Sequence, residues 1–182
     1  MSSAAPCGPA EHIPADPQAP IERTAYRRQS VVMTLSEITS YLRDHIPLSR
    51  HLGAVVQSYD GVSISLGAPL APNLNHRNTA FGGSLSALAI LSGWALLHLN
   101  LRERRIPNRL VIQRSTLDFR EAVDGDFTAS STLPVAAEWD RFLSTLARHD
   151  RARVSVPGAI HCASKMGGSH EGVYVALRIA GQ

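Results

Sequence analysis

The sequence predicts an α+β domain in which an antiparallel sheet wraps around one long buried helix. Three observations lead to this fold class. The stretch from Thr79 to Leu101 is apolar on nearly every face, as in a helix enclosed by its own protein. Strand-like segments stand on both sides of it in the chain. A tight turn at Asp60-Gly61 joins the first two of these segments, which indicates an antiparallel pair.

The chain ahead of the long helix is predicted to hold a shorter helix and a hairpin. Thr34 and Glu37 have the spacing of a capping box, and apolar residues follow at helical intervals as far as Pro47, which would stop the helix. Residues 53–59 and 62–68 alternate as strands do, on either side of the Asp60-Gly61 turn.

The long apolar helix is predicted to be buried in the protein and not to cross a membrane. Its most apolar part, from Leu85 to Leu97, is shorter than the roughly 20 residues that a span needs. Polar residues and the Gly82-Gly83 pair interrupt it, and no second apolar stretch follows.

The second half of the chain predicts three further units. Residues 109–119 and 127–133 are interpreted as a strand and its hairpin partner, joined by a tight turn at Asp124-Gly125. The stretch from Ala136 to His149 has the apolar spacing of an amphipathic helix. Two strands complete the sheet, from Arg151 to Ser164 with a bend at Pro157-Gly158, and from Gly172 to Ile179.

Composition indicates a single domain, residues 34–182, preceded by a disordered tail rich in Pro and Ala, residues 1–33. Of the 182 residues, 44% are hydrophobic, enough for a core without disulfides. The net charge of +3 is not gathered into a basic run, which argues against nucleic acid as a partner. The tail has no apolar signal segment, and Cys7 and Cys162 form no paired motif, so we expect a cytoplasmic protein.

The segment from Pro72 to Ser84, PNLNHRNTAFGGS, is the candidate functional site. A helix N-terminus leaves backbone N–H groups unpaired and partially positive, and glycine lets a ligand approach them closely. The segment could therefore hold an oxyanion. If the substrate is a thioester, that oxyanion would be a tetrahedral adduct or an enolate. The structural alternative is that Asn78 or Thr79 only caps the helix and that Gly82-Gly83 only permits close packing.

The stretch APNLNHRNTAFGGSLSALAILSGWALL, with IPLSRHLG upstream and RLVIQRS downstream, closely resembles a bacterial hotdog-fold family. Elsewhere that family forms the C-terminal half of a protein whose N-terminal half is a GNAT acetyltransferase. The resemblance covers roughly Leu35 to Ile179, and we expect this chain to be a stand-alone member. It implies an acyl-thioester enzyme, either a thioesterase or a decarboxylase that converts malonyl-acyl carrier protein to the acetyl form for priming of fatty-acid or polyketide-type synthesis.

The residues favour decarboxylation over hydrolysis. Many hotdog thioesterases begin the central helix with His-Gly-Gly and carry an acidic residue further along it. This sequence has Phe81 before Gly82-Gly83 and Ile90 where the acid is expected, and no Asp or Glu stands between Leu66 and Arg102. Loss of CO2 needs no general base, only a site that stabilises the enolate. An acyl-binding module without activity would also lack the acid, so that alternative stays open.

Asn75 is the first candidate among the side chains, because it matches the asparagine of the family loop and its amide could donate to the thioester oxygen. An Asx-turn is the alternative interpretation. His76 could protonate the enolate carbon or bind a phosphate, although a lone loop histidine is more often simply exposed. The other predicted catalytic positions are Thr79, Gly82, Gly83 and Ser84, and the predicted substrate-binding positions are Asn73, Asn78, Phe81, Gln113, Arg114 and Ser115.

The resemblance also implies the partners. The substrate would be a thioester of acyl carrier protein or coenzyme A, bound in a pantetheine tunnel between the subunits of a homodimer or a dimer of dimers. No cofactor and no metal are expected. The candidates for contact with the pantetheine phosphate or an acidic carrier protein are Arg102, Arg104, Arg105, Arg114 and Arg141.

Overall fold

The computed structural model describes residues 33–179, so that almost all of the predicted tail (residues 1–33) lies outside the described residues. The helices are α1 (Leu35–His45), α2 (Pro47–His51), α3 (Gly82–Glu103) and α4 (Ala136–His149), and a short 3-10 turn spans Ala71–Asn73. The strands are β1 (Val55–Tyr59), β2 (Ser63–Ala68), β3 (Asn108–Phe119), β4 (Phe127–Thr132), β5 (Arg151–Cys162) and β6 (Lys165–Arg178).

The six strands form one antiparallel sheet in the order β1-β2-β4-β5-β6-β3, and α3 lies along its inner face. Leu88, Leu96 and Leu97 of α3 are fully buried. They pack in one continuous core with inward-facing strand residues such as Leu66, Val156 and Tyr174. The predicted fold class is confirmed: this is a hotdog fold, a sheet wrapped around a long central helix.

The local predictions in the first half of the chain are confirmed. Thr34 Oγ1 accepts from the Glu37 backbone N–H, and the Thr34 backbone N–H donates to the Glu37 carboxylate at 2.7 Å, which completes the capping box. The β1–β2 hairpin turns at Asp60-Gly61, where Gly61 has a φ of 85°. Pro47 ends α1 as predicted, but it also begins α2, because its missing N–H is not needed in a first helical turn.

The predicted hairpin between the strands at 109–119 and 127–133 is wrong. Both strands exist, but β3 pairs with β6 at one edge of the sheet, and β4 pairs with β2 and β5 near its middle. The connection through Asp124-Gly125 is therefore a crossing from the edge of the sheet to its centre and not a tight hairpin turn. A short turn sequence between two strands fixes their pairing only if no other strand competes for the same edge.

The last two strands differ from the prediction in length. β6 begins at Lys165, not at Gly172. The glycines between these positions weaken the strand pattern in the sequence, but in the structure they lie in the strand and allow close packing. A β-carbon at Gly168 would lie 2.7 Å from the backbone oxygen of Asp118 on β3. β5 runs through Pro157-Gly158 as one strand and turns into β6 after Cys162.

Within residues 33–179, α3 is the one helix long and apolar enough to cross a membrane by length and composition. Of its most apolar window, 67% is buried inside the protein, as in the core helix of a folded domain.

A row of stacked rings joins α1 to α3 and includes the half-buried His98. His98 lies between Trp94 and Tyr41, at ring-centroid distances of 4.6 and 5.2 Å, and Tyr41 stacks in turn on His45. Burial, and to a smaller extent the charges of Arg102 and His45, together lower the pKa of His98 to about 4. The unfolded chain, with an ordinary histidine pKa near 6.5, therefore binds a proton that the folded chain excludes.

We expect the free energy of unfolding to decrease as the pH falls from about 6.5 towards about 4, because only the unfolded His98 is protonated in that range. Urea unfolding of the protein and of His98→Phe at about pH 7 and about pH 5 measures the effect. The phenylalanine variant should lose less stability on acidification. An identical loss in both proteins would contradict this role of His98.

Candidate functional site

The residues ahead of α3 form a small closed loop centred on Asn75. Leu74 and Ala80 make an isolated antiparallel bridge, and the Asn75 amide N–H donates to the Thr79 carbonyl at 2.8 Å. The side-chain oxygen of Asn75 accepts from the backbone of Arg77 at 2.8 Å, which is an Asx-turn, and from that of Thr79 at 3.3 Å. Its Nδ2 donates to Thr79 Oγ1 at 2.9 Å and to the Ala80 carbonyl at 3.4 Å.

These contacts take up both the acceptor and the donor side of the Asn75 amide. Asn75 is half-buried and shapes the loop. Its predicted donation to a thioester oxygen stays a prediction, and the Asx-turn that was its alternative is present.

The two neighbouring asparagines also serve the loop. Asn73 is only 2% exposed, and its Nδ2 donates to the carbonyls of Leu52 and Pro69, which fixes the loop to the end of α2. Asn78 has a φ of 60°, a left-handed conformation that asparagine tolerates better than most residues. His76 lies exposed at the loop tip, and no hydrogen bond joins its ring to another described residue.

The N-terminus of α3 is open. The helix begins at Gly82, and the N-cap residue is Phe81, whose side chain cannot accept a hydrogen bond. The amides of Ser84 and Leu85 bond to the Phe81 carbonyl. Among residues 33–179, no acceptor faces the amides of Gly82 and Gly83.

The alternative in which Asn78 or Thr79 caps the helix is wrong, because both belong to the closed loop and the helix starts only after it. Phe81 N–H donates to the Asn73 carbonyl, and Ala80 N–H donates to the Val123 carbonyl, both at 2.7 Å. The helix start is thus held from two sides while its first two N–H groups stay free for a ligand.

Two phenylalanine rings flank the free amides. A β-carbon at Gly83 would collide with the Phe81 ring, and one at Gly82 would lie 3.2 Å from Cζ of Phe119 on β3. Both rings are 57% exposed. The two glycines therefore lie between apolar rings that the described chain does not cover, and an acyl group could replace water on these surfaces.

The inner face of β3 continues this open surface and brings in a residue that sequence reasoning missed. Ser115 and Leu117 share the inner face with Phe119, since side chains on one face of a strand recur every second residue. Oγ of Ser115 lies 2.9 Å from Nε2 of His170 on β6. His170 is four residues before the buried Tyr174, so both side chains lie on the same face of β6. This spacing is the sequence feature that could have identified His170.

We call the open surface formed by Phe81, Gly82, Gly83 and Phe119 the acyl groove. Ser115 lies on the same face of β3, roughly 13 Å along the strand from Phe119. Gln113 interrupts the β3–β6 register as a bulge and is exposed. Ser84 is half-buried in the first turn of α3, and its hydroxyl makes no hydrogen bond within residues 33–179.

The helix side of the acyl groove carries no carboxylate. In α3 the only acidic residue is Glu103 at the far end, where it accepts a hydrogen bond from the Tyr59 hydroxyl at 2.9 Å. Ile90 stands in the middle of the helix, and its carbonyl accepts from the Tyr174 hydroxyl. Within residues 33–179, no three His, Cys, Asp or Glu side chains come together as a metal site would require.

The structure separates most of the predicted arginines from the loop. α3 has 22 residues, so that its two ends are roughly 30 Å apart. Arg102 lies over the Tyr41 ring at the far end, and Arg104 bonds to Asn100 and lies over Trp139. Arg105 is exposed just beyond the helix, Arg141 lines a pocket between α4 and β5, and Arg114 forms an exposed ion pair with Glu171.

The comparisons with known proteins agree with this geometry. Residues 35–178 match the protein family described as "Putative thioesterase (yiiD_Cterm)". A crystal structure of a protein of unknown function from Chlorobaculum tepidum is 29% identical, with a TM-score of 0.74 over 79% of this chain and 94% of that chain. A structure described as a putative thioesterase from Shewanella oneidensis is 25% identical, with a TM-score of 0.70 over 79% and 96%.

A thioesterase from Haemophilus influenzae is 15% identical, with a TM-score of 0.66 over 84% of this chain and 96% of that chain, and supports the fold alone. The family match and the Shewanella neighbour support the class of acyl-thioester enzymes with a hotdog fold. Within that class, the chain belongs to the yiiD C-terminal thioesterase family, which its residues 35–178 match.

Proposed function

We propose that the protein decarboxylates a malonyl thioester to the acetyl thioester. One observation carries the proposal: the first two N–H groups of α3 are free and open onto an apolar groove whose helix side has no carboxylate. Free, pre-aimed donors stabilise an oxyanion by about 3 kcal/mol each. A carboxylate in the groove would repel the malonyl group, and none stands on the helix side.

The proposed decarboxylation needs no side chain as a general base or nucleophile. The bond between the malonyl carboxylate and its neighbouring carbon breaks, CO2 leaves, and the electron pair moves onto the thioester oxygen as an enolate. The amides of Gly82 and Gly83 would donate to that oxygen, and the Phe81 and Phe119 rings would keep the departing carboxylate poorly hydrated. The enolate carbon then takes one proton from solvent and becomes the acetyl methyl group.

An uncovered strand edge supports the partners that we propose. The acyl groove is open along β3, a 12-residue edge strand whose outer N–H and C=O groups lack a strand partner within residues 33–179. An uncovered edge of this length favours pairing with another strand. We propose a homodimer, alone or within a dimer of dimers, in which a second copy closes the groove over the pantetheine arm of coenzyme A or acyl carrier protein.

A thioesterase is the second candidate, and the Ser115–His170 pair is the feature that it would use. A serine hydroxyl beside a histidine is the arrangement that some hydrolases use to form an acyl-enzyme. In that reaction the serine oxygen would attack the thioester carbonyl, the thiol would leave with the serine proton, and water would release the acid. A non-catalytic acyl-binding module is the third alternative.

We expect malonyl-acyl carrier protein or malonyl-CoA, incubated with the pure protein, to yield the acetyl thioester with loss of CO2. Intact-mass spectrometry over a time course separates the candidates, because hydrolysis would instead release the free pantetheine thiol. Thiol as the main product would overturn decarboxylation in favour of hydrolysis. Unchanged malonyl and acetyl thioesters, each tightly bound, would overturn both in favour of the binding module.

A further inference from the structure

The second ring nitrogen of His170, Nδ1, constrains the hydrogen bond between Ser115 and His170. Nε2 of His170 faces Ser115, whereas Nδ1 is buried and has no hydrogen-bond partner among residues 33–179. The residue as a whole is 4% exposed. Nδ1 points towards Gly158 of β5, where a β-carbon would lie 3.6 Å from it.

The missing partner fixes the tautomer of the ring. Burial lowers the pKa of His170, and the neighbouring Glu171 only partly opposes this, so the imidazole is neutral at neutral pH. A neutral imidazole has one N–H and one lone pair. A buried N–H without an acceptor is costlier and rarer than a buried acceptor without a donor. The hydrogen therefore resides on Nε2, and Nδ1 keeps the lone pair.

The direction of the Ser115 hydroxyl follows from the tautomer. Nε2–H donates to Ser115 Oγ, so the serine hydrogen cannot point back at the ring and must turn to another acceptor. Ser115 is exposed on the inner face of β3, four residues before Phe119, whose ring lies against Gly82. The free O–H therefore opens onto the inner face of β3, roughly 13 Å along the strand from Phe119.

We propose that Ser115 is a hydrogen-bond donor to the bound acyl thioester and that His170 is the positioning residue that fixes the direction of this donor. The inference rests on the proposed function for the identity of the ligand. The acceptor is a polar atom of the ligand further along β3, such as a carbonyl of its pantetheine arm, because Gly82 and Gly83 hold the thioester oxygen roughly 13 Å away. Because His170 donates to Ser115 and takes no proton from it, this pair does not generate a serine nucleophile, which weakens the case for an acyl-enzyme.

The tautomer can be measured on the wild-type protein without any substrate. Two-bond proton–nitrogen NMR spectra of the histidine rings distinguish a protonated from an unprotonated nitrogen, and His170→Gln identifies the His170 signals. We expect the hydrogen on Nε2 at neutral pH. A hydrogen on Nδ1 would overturn the inference, since Nε2 would then accept the Ser115 proton. This outcome would leave the proposed function standing.

The donor role is tested with acetyl-CoA as the binding probe and malonyl-CoA as the substrate. Ser115→Ala should weaken binding or turnover roughly tenfold, the effect of losing one hydrogen bond to a polar or charged acceptor. Thr116→Ala is the matched control, because Thr116 is the next residue and lies on the opposite face of β3. Its binding and turnover should stay within about twofold of the wild-type values. Equal behaviour of the two variants would overturn the donor role of Ser115.

The positioning role is tested by rescue. His170→Leu removes the donor and should reproduce the Ser115→Ala effect, whereas His170→Gln offers an amide N–H and should restore much of it. The double variant Ser115→Ala with His170→Leu should be no worse than Ser115→Ala alone, because both act through one hydroxyl. Additive losses would overturn the coupling. A wild-type protein that neither binds nor converts these thioesters would overturn the proposed function itself, while the tautomer remains measurable.

Discussion

Replacing Asn75 with alanine is expected to lower turnover of the malonyl thioester at least tenfold while the protein stays folded. Asn75 makes four side-chain hydrogen bonds inside the closed loop, and that loop sets where α3 begins. Their loss would let the loop move away from Gly82 and Gly83, and small displacements of aligned donors strongly reduce catalysis. Steady-state kinetics with malonyl-CoA, together with circular dichroism, measures both parts.

Arg77→Ala is the matched control for this prediction. Arg77 lies two residues further in the same loop, its side chain is exposed, and its contact with Asn75 is through the backbone N–H, which alanine keeps. Its turnover should stay close to that of the wild type. If Asn75→Ala also turns over normally, Asn75 has no part in the mechanism, either as a donor or as the residue that shapes the loop.

Replacing Gly93 with alanine is expected to lower the free energy of unfolding by about 2 kcal/mol. A β-carbon at Gly93 would collide with the hydroxyl of Tyr174 and lie 2.8 Å from its Cζ. Tyr174 is fully buried and donates to the Ile90 carbonyl at 2.8 Å, so its ring has no free space to enter. The strain and the lost hydrogen bond outweigh the gain of about 1 kcal/mol that alanine normally brings to a helix.

Tyr174→Phe provides the test of this cause. It removes the oxygen that the new β-carbon meets, at a cost of about 1 kcal/mol for the hydrogen bond. Gly93→Ala should therefore destabilise the Tyr174→Phe protein less than it destabilises the wild type. Urea unfolding of the four proteins measures the difference. Equal effects of Gly93→Ala in the two backgrounds would show that the Tyr174 hydroxyl is not the obstacle.

Local sequence signals predicted the parts of the fold that depend on nearby residues. The capping box at Thr34, the turn at Asp60-Gly61 and the bounds of α4 each follow from residues a few positions apart, and the structure confirms them. The pairing of β3 with β6 depends on a competition between distant strands for one edge of the sheet. The residues of β3 do not show which strand it pairs with, so the predicted hairpin with β4 is wrong.

In the candidate site, too, local features could be predicted and contacts between distant strands could not. The sequence predicted a site at Gly82 and Gly83 from the glycines beside a helix N-terminus, but it began the apolar stretch at Thr79, whereas α3 begins at Gly82. The Ser115–His170 pair could not be predicted, because it depends on the register between two strands, and His170 is separated from Ser115 by most of the second half of the chain. The early part of β6 is also rich in glycine, which concealed the strand that places His170.

The proposed decarboxylation passes through an enolate at the start of α3, and one measurement tests this step most directly. Malonyl-CoA is converted in deuterated water, and the mass of the acetyl product is determined. We predict an acetyl thioester that carries a single solvent deuterium in its methyl group, because the enolate carbon takes its proton from solvent after CO2 has left. Release of free coenzyme A thiol, with the acyl chain recovered as the acid, would contradict the account.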